Sequence, residues 1–239
     1  GDDVDDTLTF MDDGKNIHIC AFTGDGKDPS IMENATRIIK ENHGHGIPTV
    51  KPWSLETYLE KLNLAIDSHA FAIAMDVDAA GLPFLKGCIP PAGRMNTEQL
   101  KEIISNTPVP FIVKGVMTVK GALKAKEAGA SAIVVSNHGG RVQDQCPATA
   151  EVLEEIVKAV DGSMKIFVDG GLRNGVDIFK ALALGADAVI VARPFVNAIY
   201  GAKEEGIQVL VDKLGSEIQD TMEMCGAKSL KDITRDMVR

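Results

Sequence analysis

The sequence predicts an α/β fold built on a parallel sheet, open or closed into a barrel. Three observations predict it. Short apolar runs rich in β-branched residues recur along the chain, segments of helical period lie between them, and a polar or charged residue follows each run. Strand-like and helix-like segments alternating on this scale are the pattern of parallel strands joined by crossover helices.

The chain has 239 residues, of which 45% are apolar and 25% charged, enough for one large domain with a substantial core. A formal net charge of −9 argues against a surface for nucleic acid or anionic membrane, though a local basic pocket for one small anion remains compatible with it. Cys20, Cys88, Cys146 and Cys225 are widely separated, with no C-x-x-C pair and no histidine at metal-ligand spacing. Neither a disulfide framework nor a metal site is expected, and a reducing, cytoplasmic setting is. No apolar run reaches the ~18 residues of a membrane span, and no signal-peptide pattern opens the chain.

Taken in order, residues 1–19 read as a hairpin. Positions 7–10 and 16–19 alternate polar and apolar residues around a turn containing Asp13 and Gly14. Residues 20–239 then carry the strand–helix rhythm. The strand-like runs are 20–23, 47–50, 70–75, 110–113, 131–135, 166–168 and 188–191, each nearly continuously apolar, as expected of strands covered on both faces. Leu55, Tyr58, Leu59, Leu62 and Ile66 form one helical stripe between them. Leu100, Ile103 and Ile104 begin a second behind an Asn96 cap, and Val152, Leu153, Ile156, Val157 and Val160 form a third. Asn174 caps a fourth helix that runs to Leu184 and stops at Gly185. Seven strands are counted where a closed barrel of this type takes eight, and nothing between the hairpin and the first run supplies another.

The residues after the runs point to chemistry. Thr23 and Asp25 follow the first, Lys51 the second, Asp76 and Asp78 the third, Lys114 the fourth, Ser136 and His138 the fifth, Asp169 the sixth and Arg193 the seventh. All sit at carboxyl ends of strands, so a barrel would gather them on the face where barrel active sites are built. Any strand must end in something polar, but lysine, aspartate, histidine and arginine at most of the ends exceed what loops require. Lys114 ends a buried strand, where an unpaired ammonium is costly and a nearby anion would resolve the cost. Gly170 and Gly171 let the backbone approach a ligand just before a helix N-terminus, and Arg173 adds charge. With Arg193 at the neighbouring strand end, these make a phosphate site. Between Ser136 and Arg141, an imidazole and a guanidinium three residues apart suit a carboxylate substrate: Arg141 holds the carboxylate and His138 takes a proton. Either Asp78 or Asp76 could orient the ring.

The segment from about Pro110 to Ile233 resembles the FMN-dependent 2-hydroxy-acid dehydrogenases and oxidases, the family of lactate and glycolate oxidases. The residues that carry the resemblance are Val113-Lys114-Gly115, Ser136-Asn-His-Gly-Gly-Arg141, Asp169-Gly-Gly171 with Arg173, and Lys180-Ala-Leu-Ala-Leu-Gly-Ala186. The resemblance implies a TIM (β/α)8 barrel, its first strand absent from this sequence, with FMN at the carboxyl face. It implies that Lys114 stands by the flavin N1/O2 edge and Ser136 also contacts the flavin. Asp169, Gly170, Gly171 and Arg173 would bind the ribityl-phosphate arm, Arg193 the phosphate, and Thr23, Asp76 and Ala192 would complete the cofactor shell. His138 would be the base, paired with Asp78, and Arg141 would grip the carboxylate of a small 2-hydroxy acid. The electron acceptor could be oxygen, a quinone or another protein, and self-association into a homo-oligomer is expected by analogy.

The departures are informative. Ala192 stands where the family has glycine before Arg193-Pro194. Thr49 and Lys51 stand where it has glutamine and tyrosine, and of the arginine expected after Asp78 only Lys86 and Arg94 are nearby substitutes. The pattern looks like a divergent bacterial, lactate-dehydrogenase-like branch. Competing readings are a non-oxidative FMN barrel of the isopentenyl diphosphate isomerase kind, an aldolase using Lys114 as a Schiff-base nucleophile, and a barrel that binds a phosphorylated ligand without turnover. The Ser136–Arg141 loop speaks against the isomerase, because isomerising a diphosphate needs no carboxylate clamp.

Overall fold

β-Branched runs that must be covered on both faces close here into a barrel wrapped by helices. The computed structural model describes residues 7–12, 17–85 and 92–239. Among the described residues there are eight strands: β1 (Thr7–Asp12), β2 (Ile17–Thr23), β3 (Gly46–Val50), β4 (Ile73–Asp76), β5 (Phe111–Val116), β6 (Ala132–Val135), β7 (Lys165–Val168) and β8 (Ala188–Val191). Around them lie α1 (Pro29–Glu41), α2 (Leu55–Asp67), α3 (Thr97–Ser105), α4 (Val119–Ala128), α5 (Thr149–Val160), α6 (Gly175–Ala183) and α7 (Arg193–Cys225).

From β2 to β8 each strand pairs in parallel with the next in the chain. A parallel strand ahead of β2 has no counterpart among the described residues. Its place is taken by β1, which lies antiparallel to both neighbours, with Thr7 opposite Phe22 of β2 and Leu8 opposite Val191 of β8. That pairing closes the sheet into a barrel and leaves β2 and β8 with no free edge. The second arm of the hairpin and the first parallel strand are one strand, so the expected division at residue 20 falls within β2. The turn at Asp13 and Gly14 lies outside the described residues, as does Lys86.

Two apolar layers follow from the two faces of each strand. Phe22, Ile47, Ala74, Ile112, Val134, Phe167 and Ile190 fill the barrel interior. Their neighbours Val50, Ile73, Met75, Val113, Ile133, Val168 and Val189 face outward onto the helices. Small alanines alternate with large side chains inside, which lets the layers interdigitate.

The helices start and stop where local chemistry dictates. Asn96 and Gln99 form a reciprocal cap on α3, and the Thr118 side chain caps α4, which ends at left-handed Gly129. Asn174 Oδ1 accepts from Asp177 N at 2.9 Å to start α6. The carboxylate of Glu217, from α7, accepts from Gly175 N at 2.8 Å, placing a negative charge where the α6 dipole favours it. α7 is broken in its first third, where Ala202 and Lys203 leave helical geometry. Among the described residues no helix is long and apolar enough to cross a membrane.

Candidate active site

The strand ends meet as the alternation of apolar runs and polar termini predicts. A cavity of about 280 Å³ opens at the carboxyl face of the barrel, lined by residues from the ends of β2, β3, β4, β5, β7 and β8 and from the loop after β6. Thr23, Asp76, Lys114, His138, Arg141, Asp169, Gly170, Gly171, Arg173, Ala192 and Arg193 all line it. Ser136 and Asp78 stand directly behind, each in contact with a lining side chain.

Ser136, wholly buried, is the hub. Its Oγ accepts from Lys114 Nζ at 3.2 Å and from the backbone N–H of His138 at 3.1 Å, and donates to Asp169 Oδ2 at 2.9 Å. A hydroxyl offers one donor and two acceptor positions, so all three are used. The Lys114 ammonium also lies 3.3 Å from Asp169 Oδ2. Burial works against its charge, but Asp169, Asp78 and Asp76 together outweigh burial and hold its pKa above the ordinary lysine value. Its contacts with Ser136 and Asp169 engage the ammonium, whereas a Schiff-base nucleophile acts as a free amine, so the geometry gives no support to the Schiff-base reading.

His138 is buried and its backbone sits at φ +57, unusual for a residue with a side chain. The Ser136 bond to its N–H and the glycines that follow it hold this conformation, a form of local strain common at functional sites. Its Nδ1 is 3.2 Å from both carboxylate oxygens of Asp78. That contact assigns the proton to Nδ1 and leaves Nε2 as the acceptor nitrogen. Gly115 makes the approach possible: at φ +100, a Cβ added there would meet Asp78 Cγ at 2.5 Å.

Asp76 has a different partner. Its Oδ2 accepts from Lys51 Nζ at 2.7 Å, in an ion pair buried on both sides, and lies 4.0 Å from His138 Nε2. Burial pushes the Asp76 carboxyl above its ordinary range, against the pull of Lys51, Lys114 and His138. Behind it, Asp25 accepts from Gly26 N, Lys51 N, Trp53 Nε1 and Lys61 Nζ at 2.6 to 3.0 Å, clamping the ends of β2 and β3 together.

The cavity also carries two further cations in its lining. Arg173 and Arg193 are exposed at its mouth, and a Cβ on Gly139 would lie 3.1 Å from Arg193 Nη2, so that guanidinium rests against the His138 loop. Gly171, at φ +82, has no atom within 4 Å of where a Cβ would stand, leaving its backbone open to a ligand.

Three buried side-chain oxygens among the described residues have no hydrogen-bond partner: Thr23 Oγ1, Asp76 Oδ1 and Asp169 Oδ1. All three belong to residues lining this cavity. Unpaired buried oxygens are costly, so the cavity fits a ligand that brings its own donors. FMN does so, through the imide N–H and ribityl hydroxyls, and its phosphate matches the arginines.

Sequence reasoning thus named residues that share one cavity, but it missed three features. The Lys51–Asp76 pair was legible only as a lysine after a buried run, the same signal that marked Lys114. Asp25 reads as a strand-end acid, yet its partners are structural. The role of Gly115 depends on an acid 37 positions earlier in the chain, and no local signal announces it. Arg94 is exposed and does not line the cavity.

Comparison with known proteins agrees with this geometry. Residues 53–239 match the model of the FMN-dependent dehydrogenase family, and the chain belongs to that family. It is 48% identical over 135 residues to a peroxisomal (S)-2-hydroxyacid oxidase of Arabidopsis thaliana, covering 56% of this chain and 37% of that protein. It is 43% identical over 141 residues to the L-lactate oxidase of Roseobacter sp. (strain GAI101), covering 59% of this chain and 38% of that one. The chain therefore spans well under half the length of these relatives. Among solved structures, mandelate oxidase with (S)-4-hydroxymandelic acid superposes with a TM-score of 0.77 at 29% identity, over 85% of this chain and 67% of that one. The lactate oxidase of Pediococcus acidilactici gives 0.76 at 29% identity, over 86% and 63%. FMN is the cofactor by which the family is named.

Proposed function

We propose that this site oxidises a small 2-hydroxy acid to the 2-oxo acid. The observation that carries the reading is an imidazole fixed through Nδ1 by a carboxylate, with its other nitrogen at a cavity that also offers a guanidinium and an ammonium. FMN, when bound, supplies the two-electron acceptor.

The chain's own residues account for the rest. Arg141 is anchored by its Nε on the His138 carbonyl at 3.1 Å, which leaves its terminal nitrogens for a substrate carboxylate. His138 Nε2 takes the substrate proton, and Asp78 stabilises the imidazolium that forms. Lys114, kept charged by Asp169, stabilises negative charge arising at the cofactor face of the cavity. Thr23, Asp76 and Asp169 would receive the cofactor's hydrogen bonds, and Gly170, Gly171, Arg173 and Arg193 its phosphate arm, with Ala192 alongside.

The test is anaerobic mixing of FMN-loaded protein with a panel of 2-hydroxy acids. The flavin colour should bleach with at least one of them. His138→Ala should keep the colour and lose the bleaching. A His138→Ala variant that bleaches at the parent rate would overturn the role of the imidazole. Failure of every acid on the parent would overturn the reaction.

A further inference from the structure

We propose that Lys51 is a second anion-holding point, so that the substrate of this site is a 2-hydroxy acid bearing a second carboxylate. The inference rests on the oxidation proposed above and narrows its substrate.

Lys51 is a cation that cannot leave the cavity. Its side chain is 7% exposed, and its backbone N–H is held by Asp25 at 3.0 Å. Its ammonium has three N–H donors, of which the structure uses one, on Asp76 Oδ2 at 2.7 Å. Two donors on a buried charge are left to a ligand, since water-free burial of unpaired donors is expensive.

Its position decides which part of the ligand it meets. Asp76 Oδ2 lies 2.7 Å from Lys51 Nζ and 4.0 Å from His138 Nε2, so the ammonium is within the sum of those distances of the base nitrogen. That is the reach of a short carbon chain. Arg141, by contrast, is an exposed residue of the cavity lining, held by its Nε on the carbonyl of the same histidine. A substrate carbon facing Nε2 thus has an exposed cation for one end and a buried cation for the other.

Asp76 does not cancel this attraction. Asp76 occupies one of the three donors of the Lys51 ammonium, and the other two stay open to the ligand. An apolar substituent would meet a buried ion pair at this point and gain nothing from it.

The test compares ligands of one length that differ in the second charge. FMN-loaded protein is titrated with succinate and with butyrate, following the perturbation of the flavin spectrum and the shift in melting temperature. Succinate should bind about ten-fold more tightly or better, as expected for a charge-assisted contact. Lys51→Met should erase the preference while keeping butyrate binding within a few-fold of the parent. Equal affinities on the unaltered protein, or a preference that survives in Lys51→Met, would overturn the proposal; the first comparison decides even if the variant does not fold. Bleaching by malate and lactate separates the two levels. Lactate bleaching as efficiently as malate, with no succinate preference, leaves the oxidation standing and sinks the second carboxylate. A Lys51-dependent succinate preference with no bleaching by any 2-hydroxy acid sinks the oxidation and leaves Lys51 as an anion site.

Discussion

Replacing Gly115 by alanine should disable the proposed base, His138, without touching it. The added Cβ would stand 2.5 Å from Asp78 Cγ and 2.6 Å from its Cβ and Oδ1. Non-bonded carbons settle at about 3.5–4.0 Å, so the Asp78 side chain must retreat by roughly 1 Å. Its contact with His138 Nδ1, now 3.2 Å, would then exceed hydrogen-bonding reach. A hydrogen bond to a charged group is worth about 1.5–3 kcal/mol net, which corresponds to roughly a 10- to 150-fold slower step when fully expressed at the barrier. Alanine at φ +100 also costs stability, on the order of 1–3 kcal/mol. Rapid-mixing measurement of flavin bleaching, beside thermal melting and FMN titration, separates these effects. The expected result is a rate lowered by the stated factor, FMN affinity within a few-fold of the parent and a modestly lower melting temperature. Asp78→Asn should slow the reaction similarly, and combining it with Gly115→Ala should add little, because both act on one contact. A Gly115→Ala protein that retains FMN and bleaches within two-fold of the parent rate would refute the argument that Asp78 reaches the imidazole only past a glycine.

Two further outcomes concern stability. Tyr58 is fully buried, edge-on to Phe111 at 6.4 Å, and its hydroxyl meets Thr107 Oγ1; burial, opposed by that hydrogen bond, pushes its pKa from 10.0 up to about 12. A raised folded-state pKa contributes stability that is complete below the unfolded value near 10 and is lost as pH rises through about 12. Urea unfolding from pH 9 to 12 should therefore lose on the order of 2–3 kcal/mol in the parent that Tyr58→Phe does not lose; equal slopes for the two proteins would contradict the burial argument. Asp25→Ala strands the Lys61 ammonium, the Trp53 N–H and the Lys51 backbone N–H, and should cost roughly 3–5 kcal/mol in urea unfolding. A loss below about 1 kcal/mol, the range of surface pairs, would mean that the cluster is solvated rather than structural.

The seven parallel strands, the helices at α2, α3, α5 and α6 and the cavity-facing residues were legible in the sequence because each depends on local chemistry. An apolar run buried on both faces, a cap three residues ahead of its partner N–H and a charge at the end of a buried strand are short-range patterns, and the barrel turns strand ends into one surface by its topology alone. Which acid faces the imidazole was left open by the residues themselves, and only the family resemblance pointed to Asp78. Asp76 and Asp78 stand two residues apart in the chain, and only the fold shows Lys51 taking Asp76 while Gly115 admits Asp78 to His138. The closure of the barrel was equally hidden: a hairpin read from its alternation carries no sign that its first strand will lie antiparallel against β8, at the far end of the sheet. In each case the reason is the same. Contacts between strand ends are set by the register and curvature of the closed sheet, which are collective properties of all its strands and are written in no single segment.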